Sequence, residues 1–155
     1  MFGKRLSQYL AFQWPLLLLT AAVGLARLGL SLAGQPDASV KWLSMNVALG
    51  AAAVYYGVAL HARGFGSYKQ LLPLVFFQAL ILNAIAVAGI VLSIAGFPNI
   101  FAAPEYAGPV TPDNQWLHAL SHLTIGMVNA PLVLWGVASL SLWITRKVAR
   151  RPAVA

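Results

Sequence analysis

QLLPLVFFQALILNAIAVAGIVLSIAG, Gln70 to Gly96, carries no charged side chain along its length. About 20 apolar residues in helical form cross ~30 Å of hydrocarbon, and this run exceeds that need. Pro73 falls in the first turn, where a missing N–H disturbs little. Phe97-Pro98-Asn99 closes the run, and Tyr68-Lys69 precedes it. The stretch therefore predicts a transmembrane helix over about 70–96.

Working outward, three more segments have the same character, over about 12–33, 40–62 and 115–146. Lys4 and Arg5 precede the first, and Gln35-Pro36-Asp37 ends it. A secretory leader is the competing description, with Ser31-Leu32-Ala33 as its cleavage site; Arg27 inside the run and the length of the run favour a membrane span. The second segment closes at Arg63-Gly64-Phe65-Gly66-Ser67, a glycine-rich turn. This turn lacks the spacing and the preceding strand of a phosphate loop. The longest connection, 97–114, is an outer loop rich in proline, with Glu105, Tyr106 and Asp113. In the fourth segment Pro112-Asp113-Asn114 offers an N-cap, and Pro131 predicts a local kink.

Composition agrees. Of 155 residues, 60% are hydrophobic and only 8% charged, and the mean hydropathy is +0.77. A soluble domain carries roughly 25% charged residues. The absence of cysteine excludes disulfides, thiolate nucleophiles and iron–sulfur ligation. The net charge of +7 would suggest nucleic acid in a soluble protein. Here its distribution points to a membrane instead. Lys4, Arg5, Arg63, Lys69, Arg146, Lys147, Arg150 and Arg151 fall at one set of alternate segment ends. The acids Asp37, Glu105 and Asp113 fall at the other. Basic residues resist translocation, so both termini are expected in the cytoplasm of a bacterial-type inner membrane. Trp14, Trp42, Trp116 and Trp143 lie near the expected ends, as an aromatic belt would place them. The expected fold is an all-α integral membrane four-helix bundle, up-down-up-down, forming a single domain over 1–155.

Helical spacing predicts the inward faces. Thr20, Gly24, Arg27, Ser31 and Gly34 share one stripe, and Asn46, Gly50, Ala53, Gly57 and His61 another. Gln78, Ile85, Gly89, Ser93 and Gly96 form the third, and His118, His122, Ile125, Asn129 and Gly136 the fourth. Small residues let helices approach closely and polar ones seek partners away from lipid, so these stripes should form the interior or a subunit contact.

Three groups carry candidate chemistry. Arg27 lies about seven residues, ~10 Å, inside the outer end of its helix. It is expected to snorkel or to pair with Asp37, Glu105 or Asp113, and an anion or headgroup site is its functional reading. His118 and His122, spaced i, i+4, can turn both rings to one side and share a metal, with Glu105 as a further ligand. They cannot both be axial ligands of one haem, and His61 lies a membrane away; one outer histidine with Met45 is the remaining haem pairing. Arg27, Asp37, Asp113, His118 and His122 thus form an expected polar outer cluster. Asn46, Gln78, Asn83 and Asn129 are intramembrane amides whose ordinary use is interhelical hydrogen bonding. No carboxylate falls within a span, which disfavours a proton-coupled carrier.

These features predict a non-enzymatic accessory or assembly subunit, embedded in lipid and docking other membrane subunits or itself. No nucleic acid and no cofactor are expected. The alternatives are a redox component holding a metal or haem at the outer histidines, and a small transporter or channel lined by Arg27 and the amides.

Overall fold

The computed structural model describes residues 1–102 and 111–149. Glu105, Tyr106, Arg150 and Arg151 lie outside the described residues. The described chain is helical: α1 (Leu6–Leu32), α2 (Asp37–Val40), α3 (Met45–Ala62), α4 (Tyr68–Ile94), α5 (Pro112–Ser121) and α6 (Met127–Ala149). A 3-10 turn, Ile100–Ala102, follows α4, and a π-helical turn, His122–Gly126, joins α5 to α6. Four helical stretches are long and apolar enough to cross a membrane: Leu6–Leu32, Asp37–Ala62, Tyr68–Ile94 and Asp113–Ala149.

Two boundaries differ from expectation. α1 starts at Leu6, not near residue 12, because Gln8 Oε1 accepts the Arg5 backbone N–H at 2.8 Å and caps a polar first turn. Pro15 consequently sits inside α1. The second segment breaks at Lys41–Ser44, where Ser44 Oγ accepts the Val47 N–H and starts α3 afresh.

α3 and α4 form the centre, and each packs on both α1 and α6. Half of the apolar window of α4 is buried, against 17% for α1 and for the fourth stretch. Tyr9, Leu49, Tyr56, Leu60, Leu71, Leu74 and Leu142 fill the core. α3 packs closely on α6, backbone against backbone. A Cβ on Gly57 would stand 2.6 Å from both Ala138 O and Leu142 N, backbone atoms that have no rotamer to yield. Ser141 Oγ closes this seam by donating to Val54 O at 2.8 Å. Outward positions such as Leu18 and Leu25 on α1 and Val133 and Leu140 on α6 are exposed leucines and valines, the side chains that lipid solvates.

Contacts gather the charges by end. Gln70 Nε2 donates to Phe2 O at 2.8 Å, Lys4 lies over the Phe65 ring, Arg63 over Phe12, and Arg146 over Tyr68. The other end joins Arg27 to Asp37, Ser31 to Ile100 and Ser93 to Gln115. Lys41, exposed at the α2–α3 break beside Asp37, departs from the sorting of bases from acids.

The π turn resets the register of the fourth span. Gln115 and Ala119 are buried in α5, whereas Pro131, Leu134, Ala138 and Leu142 are buried in α6. In unbroken α-helix the roughly twelve residues from Ala119 to Pro131 would turn them about 120° apart. One residue absorbed by the π turn reduces this to about 20°. The expected stripe therefore lies inside at His118 and His122 but not beyond them: Ile125, Asn129 and Gly136 face outward, which leaves a subunit contact as their part of the expectation. On α3, Ala53 and Gly57 are buried, but Asn46 and His61 at the ends of that stripe are exposed.

Candidate functional site

Two polar groups occupy the bundle, and they differ in completeness. The first is a buried chain between α1, α3 and α4. The Thr20 hydroxyl donates to Gln78 Oε1 at 2.7 Å, Gln78 Nε2 donates to the Tyr56 oxygen at 2.6 Å, and the Tyr56 hydroxyl donates to Gln13 Oε1 at 3.1 Å. All four side chains are essentially inaccessible. Gln13 Nε2 at the end of the chain is buried without a hydrogen-bond partner among the described residues. No signal in the sequence joins Gln13 to Tyr56; their separation along the chain hides the contact.

The second group lies where α4 meets the π turn. His122 Nδ1 is 2.8 Å from Asn83 Oδ1, and His122 Nε2 is 3.2 Å from His118 Nε2. Asn83 Nδ2 donates to Ala79 O at 2.8 Å, one turn back on α4, so its amide oxygen is the atom presented to the histidine. His122 Nδ1 therefore carries the proton of that bond, and its Nε2 presents a lone pair to His118. Gly126 makes this seat possible: a Cβ there would come within 2.6 Å of Asn83 Oδ1. Hydroxyls support the turn, with Ser121 Oγ donating to His118 O and Thr124 Oγ1 to Leu120 O, both close to 2.8 Å. Such side-chain competition for helical carbonyls accompanies departures from α geometry. Both rings are half-buried, and His118 Nδ1 is buried without a hydrogen-bond partner among the described residues.

The expected outer cluster resolves into separate parts. Arg27 Nη2 meets Asp37 Oδ1 at 2.8 Å and Nη1 donates to Leu43 O at 3.3 Å. The arginine is thus paired across the α1–α2 turn. Asp37 is 56% exposed, which holds the value of the pair to about 0–1 kcal/mol. Asp113 is exposed in the first turn of α5 and forms no ion pair among the described residues. No hydrogen bond or ion pair among the described residues joins Arg27 or Asp37 to the histidines. Among the described residues no group of three or more His, Cys, Asp or Glu converges on one point, and Glu105 lies outside them. Met45 is buried with its thioether against Gly24, on the α1 side of α3.

The intramembrane amides divide in the same way. Gln78 and Asn83 are buried and bonded. Asn46 and Asn129 are exposed, and neither has a side-chain hydrogen bond among the described residues. Between α4 and α6 runs an apolar groove of about 360 Å³, walled by Leu72, Phe76, Met127 and Pro131 among others.

Comparison with protein-family models, with curated proteins and with solved structures finds no match to this chain.

Proposed function

We propose that this chain is an up-down-up-down membrane protein with both termini in the cytoplasm of a bacterial-type inner membrane, working as a non-enzymatic accessory or assembly subunit. The topology rests on the gathering of Lys4, Arg63 and Arg146 at one end and of Asp37 at the other, under the rule that basic residues stay inside. A single domain over 1–155 is part of the same reading.

The observation that carries the subunit role is Asn129. It stands near the middle of the Asp113–Ala149 stretch, on the outward face of α6. An amide turned to hydrocarbon lacks both donor and acceptor partners, and a helix from another chain supplies them. Gly136, two turns further on the same face, has open space over its backbone and admits a close neighbour. The interior disfavours a conducting path: Gln78 is committed to Thr20 and Tyr56, and Arg27 to Asp37.

Native mass spectrometry of the protein extracted from its own membranes tests this. The expected result is a defined assembly containing this chain, which Asn129→Leu dissociates while leaving the monomer as stable as before. A wild-type protein that emerges as a lone monomer under the same extraction overturns the subunit role.

A further inference from the structure

We infer that His118 and His122 form a two-histidine chelate for a divalent transition-metal ion of the zinc or copper class, with Asn83 and Gly126 as its positioning residues. This goes beyond the subunit role and does not depend on it.

The geometry is that of a chelate. Metal–imidazole bonds of about 2.0–2.1 Å to two nitrogens 3.2 Å apart subtend about 100° at the metal, close to the tetrahedral angle. The ring centroids give a second measure. They are 4.9 Å apart, at an interplanar angle of 44°. With a ring radius of roughly 1.1 Å, imidazoles converging on one ion would place their centroids about 5 Å apart, against about 5.5 Å for a linear N–H···N bond. The rings are inclined toward a common point, as a bent N–H···N contact also inclines them.

The surroundings are those of a supported ligand. A metal-binding histidine ordinarily donates its other ring N–H to a fixed acceptor, which sets tautomer and orientation. Asn83 Oδ1 is that acceptor for His122, and its own amide is held by Ala79 O. In the metal-free protein His118 Nε2–H fills the gap by donating to His122. Coordination requires His118 to carry its one proton on Nδ1 instead, the buried atom that now has no hydrogen-bond partner. The neutral ring changes tautomer, and no net proton is lost. Imidazole donors, with no cysteine in the chain and no carboxylate cage among the described residues, suit Zn(II), Cu(II) or Ni(II) rather than magnesium or calcium. The π turn is what allows this site: it keeps Gly126 against Asn83 while α6 returns to its own packing register.

Copper(II) is the probe of choice, because it binds such sites most tightly among first-row divalent ions and reports its ligands spectroscopically. Tag-free protein in nanodiscs is titrated with Cu(II) and followed by electron paramagnetic resonance. The expected result is one Cu(II) per chain with hyperfine coupling to two imidazole nitrogens. This reading needs no variant and is independent of any folding defect. His118→Gln and His122→Gln each lower affinity at least 100-fold, Asn83→Ala and Gly126→Ala lower it 10- to 100-fold, and His61→Gln leaves it unchanged. Coupling to one nitrogen or none, stoichiometric binding that survives both histidine substitutions together, or binding lost with His61→Gln overturns the proposal.

Discussion

The polar chain between α1, α3 and α4 and the polar group at the π turn are both built from side chains of the long apolar stretches, yet they differ in exposure. Thr20, Gln78, Tyr56 and Gln13 bond one another out of reach of any ligand. His118 and His122 are half-buried beside the buried Asn83, and one ring nitrogen lacks a hydrogen-bond partner among the described residues. The difference follows from helix register. Where α-helical phase is unbroken, polar side chains on neighbouring helices face each other and bond one another, leaving only Gln13 Nε2 over among the four. Where the π turn shifts the phase, the upper stripe of the fourth span stays inside and its continuation, Asn129 and Gly136, turns outward. π turns inside α-helices are frequent at functional sites, and here the turn separates residues that close the bundle from residues left available to something else.

The comparison breaks most sharply under deletion. Removing Val133 rotates Leu134, Ala138 and Leu142 by about 100° relative to the upper half of the helix and abolishes folded protein in detergent. Removing Ile125 instead closes the π turn into regular α-helix, keeps the lower face in register and leaves the bundle folded, while the His122–Asn83 contact is lost. Size-exclusion profiles of the two deletions check this, and equal behaviour would sink the register account.

A second test acts on the close seam of α3 and α6. Gly57→Ala pushes a Cβ against backbone and should cost about 1–3 kcal/mol, read as a lowered midpoint of denaturant unfolding. The corresponding change on the outward face, Gly136→Ala, meets open space and should leave the monomer unchanged.

Gln78→Leu tests the closed chain itself. It strips Thr20 of its acceptor and Tyr56 of one donor, and interhelical hydrogen bonds in membranes average about 0.6 kcal/mol with a maximum near ~1.7. A loss within that range is expected, with metal binding at the histidines unaffected; a change in binding would show that the two polar groups are coupled.

The smallest effect belongs to the ion pair. Asp37→Asn should lower stability by at most about 1 kcal/mol, since the carboxylate is mostly in water. Exchanging the pair, Arg27→Asp with Asp37→Arg, should recover more insertion than Arg27→Asp alone in a membrane-integration assay. No recovery would mean that the guanidinium's bond to Leu43 O, not its charge partner, holds it.

Much of this was legible in residues alone. The apolar run 70–96 announced α4 because nothing but lipid or a core can solvate it, and Arg27 stood out because its charge has few places to go. The Ser44 restart of α3 was less visible, since Lys41–Ser44 are no more polar than an ordinary membrane interface. The extension of α1 to Leu6 was hidden because its cap is a glutamine reaching back to Arg5. Of the candidate site, the i, i+4 pairing of His118 with His122 could be read from spacing. Asn83 as the acceptor of His122 could not, because nothing in the order of residues says how α4 is rotated against the fourth span.

The sequence by itself determined that four stretches are long and apolar enough to cross a membrane, because hydropathy and length are local properties that need no neighbour to act. It also determined the spacing that puts two imidazoles on one side of a helix. Only the tertiary structure decided which polar groups close on one another, which stand open and which face outward. Those outcomes depend on the relative rotation of packed helices, and a single π turn at His122–Gly126 is enough to change that rotation for half a span.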